Sequence, residues 1–248
     1  MKPYAIVAEG PDDLAALRVL LRGIGAEVKG TFHDANRNPL QVVLNGSTVQ
    51  VWAARGKKKE LTERAIDAAQ GTAAYRPEIV VVCFDPDTDP EPSEFQFFAT
   101  HFEEVRGTRA GPLVIDPTSG ATTFQVGDRT VRVVPAPWRL DAAPGFAGLP
   151  NEHNLERVLI TGLLSVLSSD PRTAWAAQTT AALTALVSDH GWKRAFRIWS
   201  AALVPSAEAA VDALLQRREA KDGCLAALRD AHGWQRILAL NAAQATVA

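Results

Sequence analysis

Residues 80–90 read VVVCFDPDTDP: an apolar run, Val80 to Phe84, passes directly into three aspartates spaced two apart, Asp85, Asp87 and Asp89. A short run that is apolar on both faces, without alternation, suits a parallel strand covered by helices on either side. Three like charges so close repel, and any burial strips them of hydration. The segment therefore predicts two things together, a buried parallel strand and a positive partner at its C-terminal end.

Working outward, YAIVAEG (4–10) is a second buried run, ending on Glu9. It leads into PDDLAALRVLLRGIG (11–25), where Leu14, Leu17, Leu20, Leu21 and Ile24 keep helical spacing and Pro11, Asp12 and Asp13 suit a first turn. STVQVWAARG (47–56) alternates Val49, Val51 and Ala53 as a strand, and KKKELTERAIDAAQG (57–71) follows as a polar-faced helix. After residue 90, EPSEFQFFATHFEEV (91–105) reads as a helix. GPLVID (111–116) and TTFQVGDRTVRVV (122–134) read as strands, the latter a hairpin turning at Gly127-Asp128. Residues 30–48 read as an inserted hairpin. Strands alternating with helices predict an α/β domain over 1–150, a mainly parallel sheet flanked by helices. From 151 to 248 the pattern is helix upon helix, with Asn151 expected to open the first. The echo between DHGWKR (189–194) and AHGWQR (231–236) reads as two similar helix ends.

Composition narrows the function classes. The chain has 248 residues, 47% hydrophobic and 22% charged, with a formal net charge of −2. It is no polycationic nucleic-acid binder, so any such binding must be local. Cys83 and Cys224 sit in unrelated contexts, and Cys83 reads as core packing. No run approaches the ~20 apolar residues of a membrane span and no signal peptide is expected, so the expectation is a cytoplasmic protein without a membrane partner.

In a parallel sheet the strand C-termini share one edge, where ligands bind. Glu9, Asp13 and the Asp85/Asp87/Asp89 series fall on that edge by this reading. Residues i and i+2 of an extended segment point the same way, so Glu9, Asp85 and Asp87 are expected to converge. Carboxylates without His or Cys are hard-oxygen ligands suited to Mg²⁺ or Mn²⁺. Arg55, Lys57, Lys58 and Lys59, in ARGKKKEL, lie between strand and helix on the same edge. Cations at a helix N-terminus oppose its dipole, a modest cost that a docked nucleic-acid phosphate offsets.

IVAEGPDD (6–13) followed by VVVCFDPDTD (80–89) resembles the TOPRIM domain of topoisomerases, bacterial primases and OLD-family nucleases, with its Glu-Gly after strand one and D-x-D after strand three. The E-G-x-x-D form, Glu9 to Asp13, is closer to OLD-like nucleases and small TOPRIM proteins. NEHNLERVL (151–159) resembles the segment whose acid joins the metal site in those relatives, which implies Glu156. RREAKDGCLAAL (217–228) resembles their late lysine-bearing helix, which implies Lys221. The resemblance implies metal-dependent cleavage of DNA or RNA. Glu9, Asp85 and Asp87 hold one ion on this reading; Asp13, Asp89 and Glu156 help hold a second about 3.5–4 Å away. Lys57, Lys58 or Lys221 then faces the phosphate. A topoisomerase is disfavoured, because Tyr4 and Tyr75 both lie close to strands rather than on a separate domain. The alternative is a non-catalytic metal-binding module that meets nucleic acid or a partner through its helical tail. A separate ATPase subunit is one such partner, since no G-x-x-x-x-G-K-[ST] occurs.

Overall fold

A computed structural model describes residues 3–29, 39–44, 46–72, 74–87, 93–141, 149–169, 174–201, 211, 214–215 and 218–245. Asp89 and most of the segment between residues 30 and 48 that precedes β3 lie outside the described residues. The chain divides into two compact units. One comprises Met1–Phe84, Pro90–Ala136 and Arg236–Ala248, the other Asp85–Asp89 and Pro137–Gln235. The C-terminal stretch from Arg236 thus belongs to the first unit rather than to the helical one.

The first unit is built on an eight-stranded sheet of β1 (Tyr4–Ala8), β2 (Glu27–Lys29), β3 (Leu40–Leu44), β4 (Ser47–Ala53), β5 (Ile79–Phe84), β6 (Val114–Ile115), β7 (Thr122–Val126) and β8 (Arg129–Pro137). Their order is β2-β3-β4-β1-β5-β8-β7-β6. β1 runs parallel to both β4 and β5, with Ala8 opposite Ala53 and Cys83. Every residue of β1 and β5 is buried, as expected of strands covered on both faces. The mainly parallel expectation describes this centre. Toward the edges the sheet turns antiparallel, at β2–β3, β3–β4, β6–β7 and β7–β8. The β7–β8 hairpin closes on Gly127-Asp128 with Val126 opposite Arg129. Gly127 takes φ 61° there, the left-handed conformation that a two-residue turn demands.

Helices α1 (Pro11–Gly23), α2 (Lys58–Gln70) and α3 (Gln96–Val105) supply the cover. α1 buries Leu14, Leu17, Leu20 and Leu21, the stripe its spacing predicts. α2 buries Leu61, Ala65, Ile66, Ala68 and Ala69 and packs on β1, β4, β5 and α3. Beside it, stacked and tilted rings run from Phe84 through Phe95, Phe98 and Phe102 to Phe124, at centroid spacings of 4.9–5.8 Å. Such aromatic pairs prefer these offset and tilted geometries.

The second unit is helical: α4 (Leu155–Ser169), α5 (Ala174–His190), α6 (Trp192–Ala201) and α7 (Arg218–Asp230), then the start of α8 (His232–Ala245). α4 and α7 cross at glycine. A Cβ on Gly162 would meet Gly223 O at 2.5 Å and Cys224 Cα at 2.7 Å. The echoed hexapeptides prove unlike: Gly191, at φ 74°, separates α5 from α6, whereas Gly233 lies inside α8. Trp138, Trp192 and Trp234 are core residues, each 1% exposed. Among the described residues no helix is long and apolar enough to cross a membrane.

Candidate functional site

The acids predicted from the motif lie in both units. In the sheet unit, Glu9 follows β1 and is buried, as is Asp13 one helical turn on. Gly10 occupies the N-cap of α1, and its N–H donates to Asp13 Oδ2 at 3.0 Å. Asp13 therefore does the work of an acid at the third helical position, satisfying a backbone donor at the cap and complementing the helix dipole. The ARG segment is tied to the end of β1 by Ala54 N–H donating to Ala8 O (2.9 Å) and Gly56 N–H to Glu9 O (2.8 Å).

Lys58, the first residue of α2, sends its ammonium to Glu9 Oε2 at 2.8 Å. The same Nζ lies 5.2 Å and 5.1 Å from the Phe84 and Phe97 ring centroids, within cation–π range. Lys58 was expected to face a phosphate; its position at an unfavourable helix N-terminus is instead accounted for by Glu9. Lys59 pairs with Glu104. Lys57 stays largely exposed, 3.8 Å from Glu60, and Arg55 is exposed.

In the helical unit the D-x-D pair meets the start of α4 and the first turn of α6. Asp85 is buried, and its Oδ1 accepts from Leu155 N–H at 2.9 Å, the first backbone donor of α4. Asn154 Oδ1 takes the Arg157 N–H at 2.9 Å. The cap of α4 is thus Asn154 with help from Asp85, not Asn151, because only Asn154 immediately precedes the first helical residue. A carboxylate at this helix N-terminus is also favoured by the dipole.

Lys193, in the first turn of α6, places Nζ 2.9 Å from Asp85 Oδ2 and 2.9 Å from Asp87 Oδ1. Burial works against this ammonium, but the charges and hydrogen bonds of Asp85 and Asp87 outweigh it and hold its pKa above lysine's ordinary value. Asp87 is not extended as expected: it sits at φ 53°, a conformation Asp tolerates better than most residues. It is held there by paired backbone hydrogen bonds with His153, 2.9 Å and 2.6 Å long. The His153 ring is buried, with Nδ1 3.4 Å from Arg157 Nη1. Burial, with the charges of Arg139, Arg157 and His232, lowers its pKa to about 4.

Glu156, the acid implied by the resemblance, is buried in the first turn of α4. Lys221 stands exposed on α7; the lysine on the D-x-D pair is Lys193. It lies in DHGWKR, read from sequence as a plain helix end. The available signal was its placement, a cation in the first turn of a helix, where it opposes the dipole and needs a reason. Among the described residues no group of three or more His, Cys, Asp or Glu side chains stands together as a metal site. The donor set of Asp85 and Asp87 still suits a hard cation in kind, since Mg²⁺ keeps several waters and takes one or two carboxylates. The Lys193 ammonium lies within ion-pair distance of both.

No family model matches the chain, and no curated protein matches it. Its fold is similar to the crystal structure of the hypothetical protein PH0156 from Pyrococcus horikoshii OT3. The TM-score is 0.57 at 16% identity, over 96% of this chain and 100% of that one, so the likeness is one of fold.

Proposed function

We propose that the chain is a metal-dependent phosphodiester hydrolase of nucleic acid, of the TOPRIM kind that its motifs resemble. One observation carries this reading: Asp85 and Asp87, directly after a fully buried parallel strand, share a single cation position, marked by Lys193 Nζ at 2.9 Å from each. The parallel centre β4-β1-β5, with Glu9 next along the chain after β1, supports it. When bound, Mg²⁺ or Mn²⁺ would supply an activated water and neutralise charge developing on the phosphate.

The protein's own part is to hold and orient. Asp85 and Asp87 would carry the cation, Asp85 fixed by the α4 N-terminus and Asp87 by its backbone pairing with His153. Glu9, Asp13 and Glu156 are buried acids kept in place by the starts of α1, α2 and α4. Arg55 and Lys57 are exposed cations that a DNA or RNA backbone could meet, through the counterion-releasing contacts that make such binding salt-dependent.

A second reading has its own observation. Lys58 on Glu9 and Lys193 on Asp85 and Asp87 already give these acids internal cationic partners, which suits a non-catalytic module for nucleic acid or a partner such as a separate ATPase. The purified protein is incubated with supercoiled plasmid, linear duplex, single-stranded DNA and structured RNA, in Mg²⁺, Mn²⁺ or EDTA, beside Asp85→Asn/Asp87→Asn. Cleavage that needs metal and is lost in the variant is the expected result. An intact substrate under every condition would favour the second reading.

A further inference from the structure

The carboxylates and the Lys193 ammonium at the D-x-D pair differ in how firmly they are held. Asp87 is locked by two backbone hydrogen bonds to His153, and Asp85 by the Leu155 N–H. The backbone beneath Lys193 is equally anchored: Trp192 is buried and its Nε1 donates to Pro150 O at 2.7 Å, with the Arg157 guanidinium 5.7 Å from its ring. The Lys193 ammonium itself rides on four rotatable methylenes. The lysine side chain is 37% exposed and the Asp87 side chain 50%, whereas Asp85 is 12% exposed. Carboxylates on an anchored backbone thus face an ammonium on a long flexible stem, and the Asp87 side of the pair is the more exposed.

Lys193 also sits where helix electrostatics disfavour it, in the first turn of α6. Its two carboxylate contacts are what hold the charge there. Of the two neighbouring cations in WKR, Arg194 is exposed, and the 2.9 Å contacts to Asp85 and Asp87 are those of Lys193.

We propose that Lys193 is a built-in counter-ion: it occupies the divalent-cation position on Asp85 and Asp87 in the metal-free protein and is displaced when Mg²⁺ or Mn²⁺ loads. This rests on the metal-dependent reading above and adds regulation to it. While the ammonium is seated, it compensates one of the pair's two negative charges without a metal. Loading then requires the fraction of molecules in which Lys193 has swung into solvent, and the apparent affinity falls by that fraction. The seat therefore needs more divalent cation to load than the same carboxylates would without the lysine.

The test titrates Mn²⁺ calorimetrically into wild type, Lys193→Gln, Lys193→Arg and Arg194→Gln. With the carboxylates vacant in about 1–10% of wild-type molecules, Lys193→Gln should bind roughly tenfold to a hundredfold tighter. Lys193→Arg, which keeps a cation on the pair, should bind no tighter than wild type. Arg194→Gln should change affinity less than about twofold, as a general loss of nearby charge screened by solvent. Equal binding by wild type and Lys193→Gln, or equal tightening by Arg194→Gln, would overturn the displacement while leaving the metal reading standing. Absence of Mn²⁺ binding in every protein would remove both. A readout on wild type alone guards against misfolded variants: Mn²⁺ should raise acylation of Lys193 by an amine-reactive reagent severalfold, measured by peptide mass spectrometry, with Lys221 unchanged as the internal standard. Bound Mn²⁺ with unchanged Lys193 acylation also overturns the proposal.

Discussion

Replacing Asp85 separates a compensated carboxylate from a strained one. Acids gathered only to await a metal repel one another in its absence, so removing one should stabilise the metal-free protein. Asp85 makes the opposite prediction, because Oδ1 takes the buried Leu155 N–H and Oδ2 takes the Lys193 ammonium, each at 2.9 Å. Asp85→Ala removes a helix-terminal acceptor, worth about 1 kcal/mol, and orphans a buried donor, worth about 1–3 kcal/mol with overlap between the two. The lost ion pair adds about 0.5–1 kcal/mol, since Lys193 is partly solvated. The sum is a destabilisation of about 2–3 kcal/mol. Asp85→Asn keeps an oxygen for Leu155 and forfeits only the charge, so it should cost about 1 kcal/mol. The assay is urea unfolding in EDTA followed by tryptophan fluorescence, which reports on the helical unit through buried Trp138, Trp192 and Trp234. The order wild type, Asn, Ala in falling stability is expected. An alanine variant as stable as wild type, or more so, refutes the assignment of Asp85 as a neutralised structural acid. This ordering is also why asparagine, not alanine, belongs in the cleavage assay.

The α4–α7 crossing predicts that Gly162→Ala destabilises despite the better helix propensity of alanine, worth about 1 kcal/mol. The added Cβ would press on backbone atoms at 2.5–2.8 Å, so overpacking of about 2–3 kcal/mol should dominate, read as a net loss of about 1–2 kcal/mol in the same urea titration. His153 carries a pH signature. Its pKa falls from 6.5 unfolded to about 4 folded, so between these values the unfolded chain binds the extra proton. Stability from this group is therefore complete above about pH 6.5 and is lost as pH falls toward 4, by about 2–3 kcal/mol in total. His153→Gln should flatten that part of the stability–pH curve, and an unchanged slope would show the titration to lie elsewhere.

Sequence alone determined the elements whose signal is local. The unbroken apolar runs at 4–8 and 79–84 are buried parallel neighbours, β1 and β5, because strands covered on both faces have no polar side to show. Gly127-Asp128 turns its hairpin for a reason carried by the dipeptide itself. Glu9, Asp13, Asp85 and Asp87 could be picked out by position after strands or at a helix start, and Glu156 by the family resemblance; all are at least half-buried. What neutralises them could not. Lys193 is 106 residues from Asp87, and Leu155 is 70 residues from the carboxylate that receives its N–H. A lysine has no periodic signature, and its partner is set by where two distant backbones bring the ends of long side chains. The antiparallel flanks and the left-handed turn at Asp87 likewise depend on which chain segment lies alongside: β3 beside β4, and His153 beside Asp87. Local pattern says which residues are buried and which carry charge; only packing decides which opposite charge each one meets.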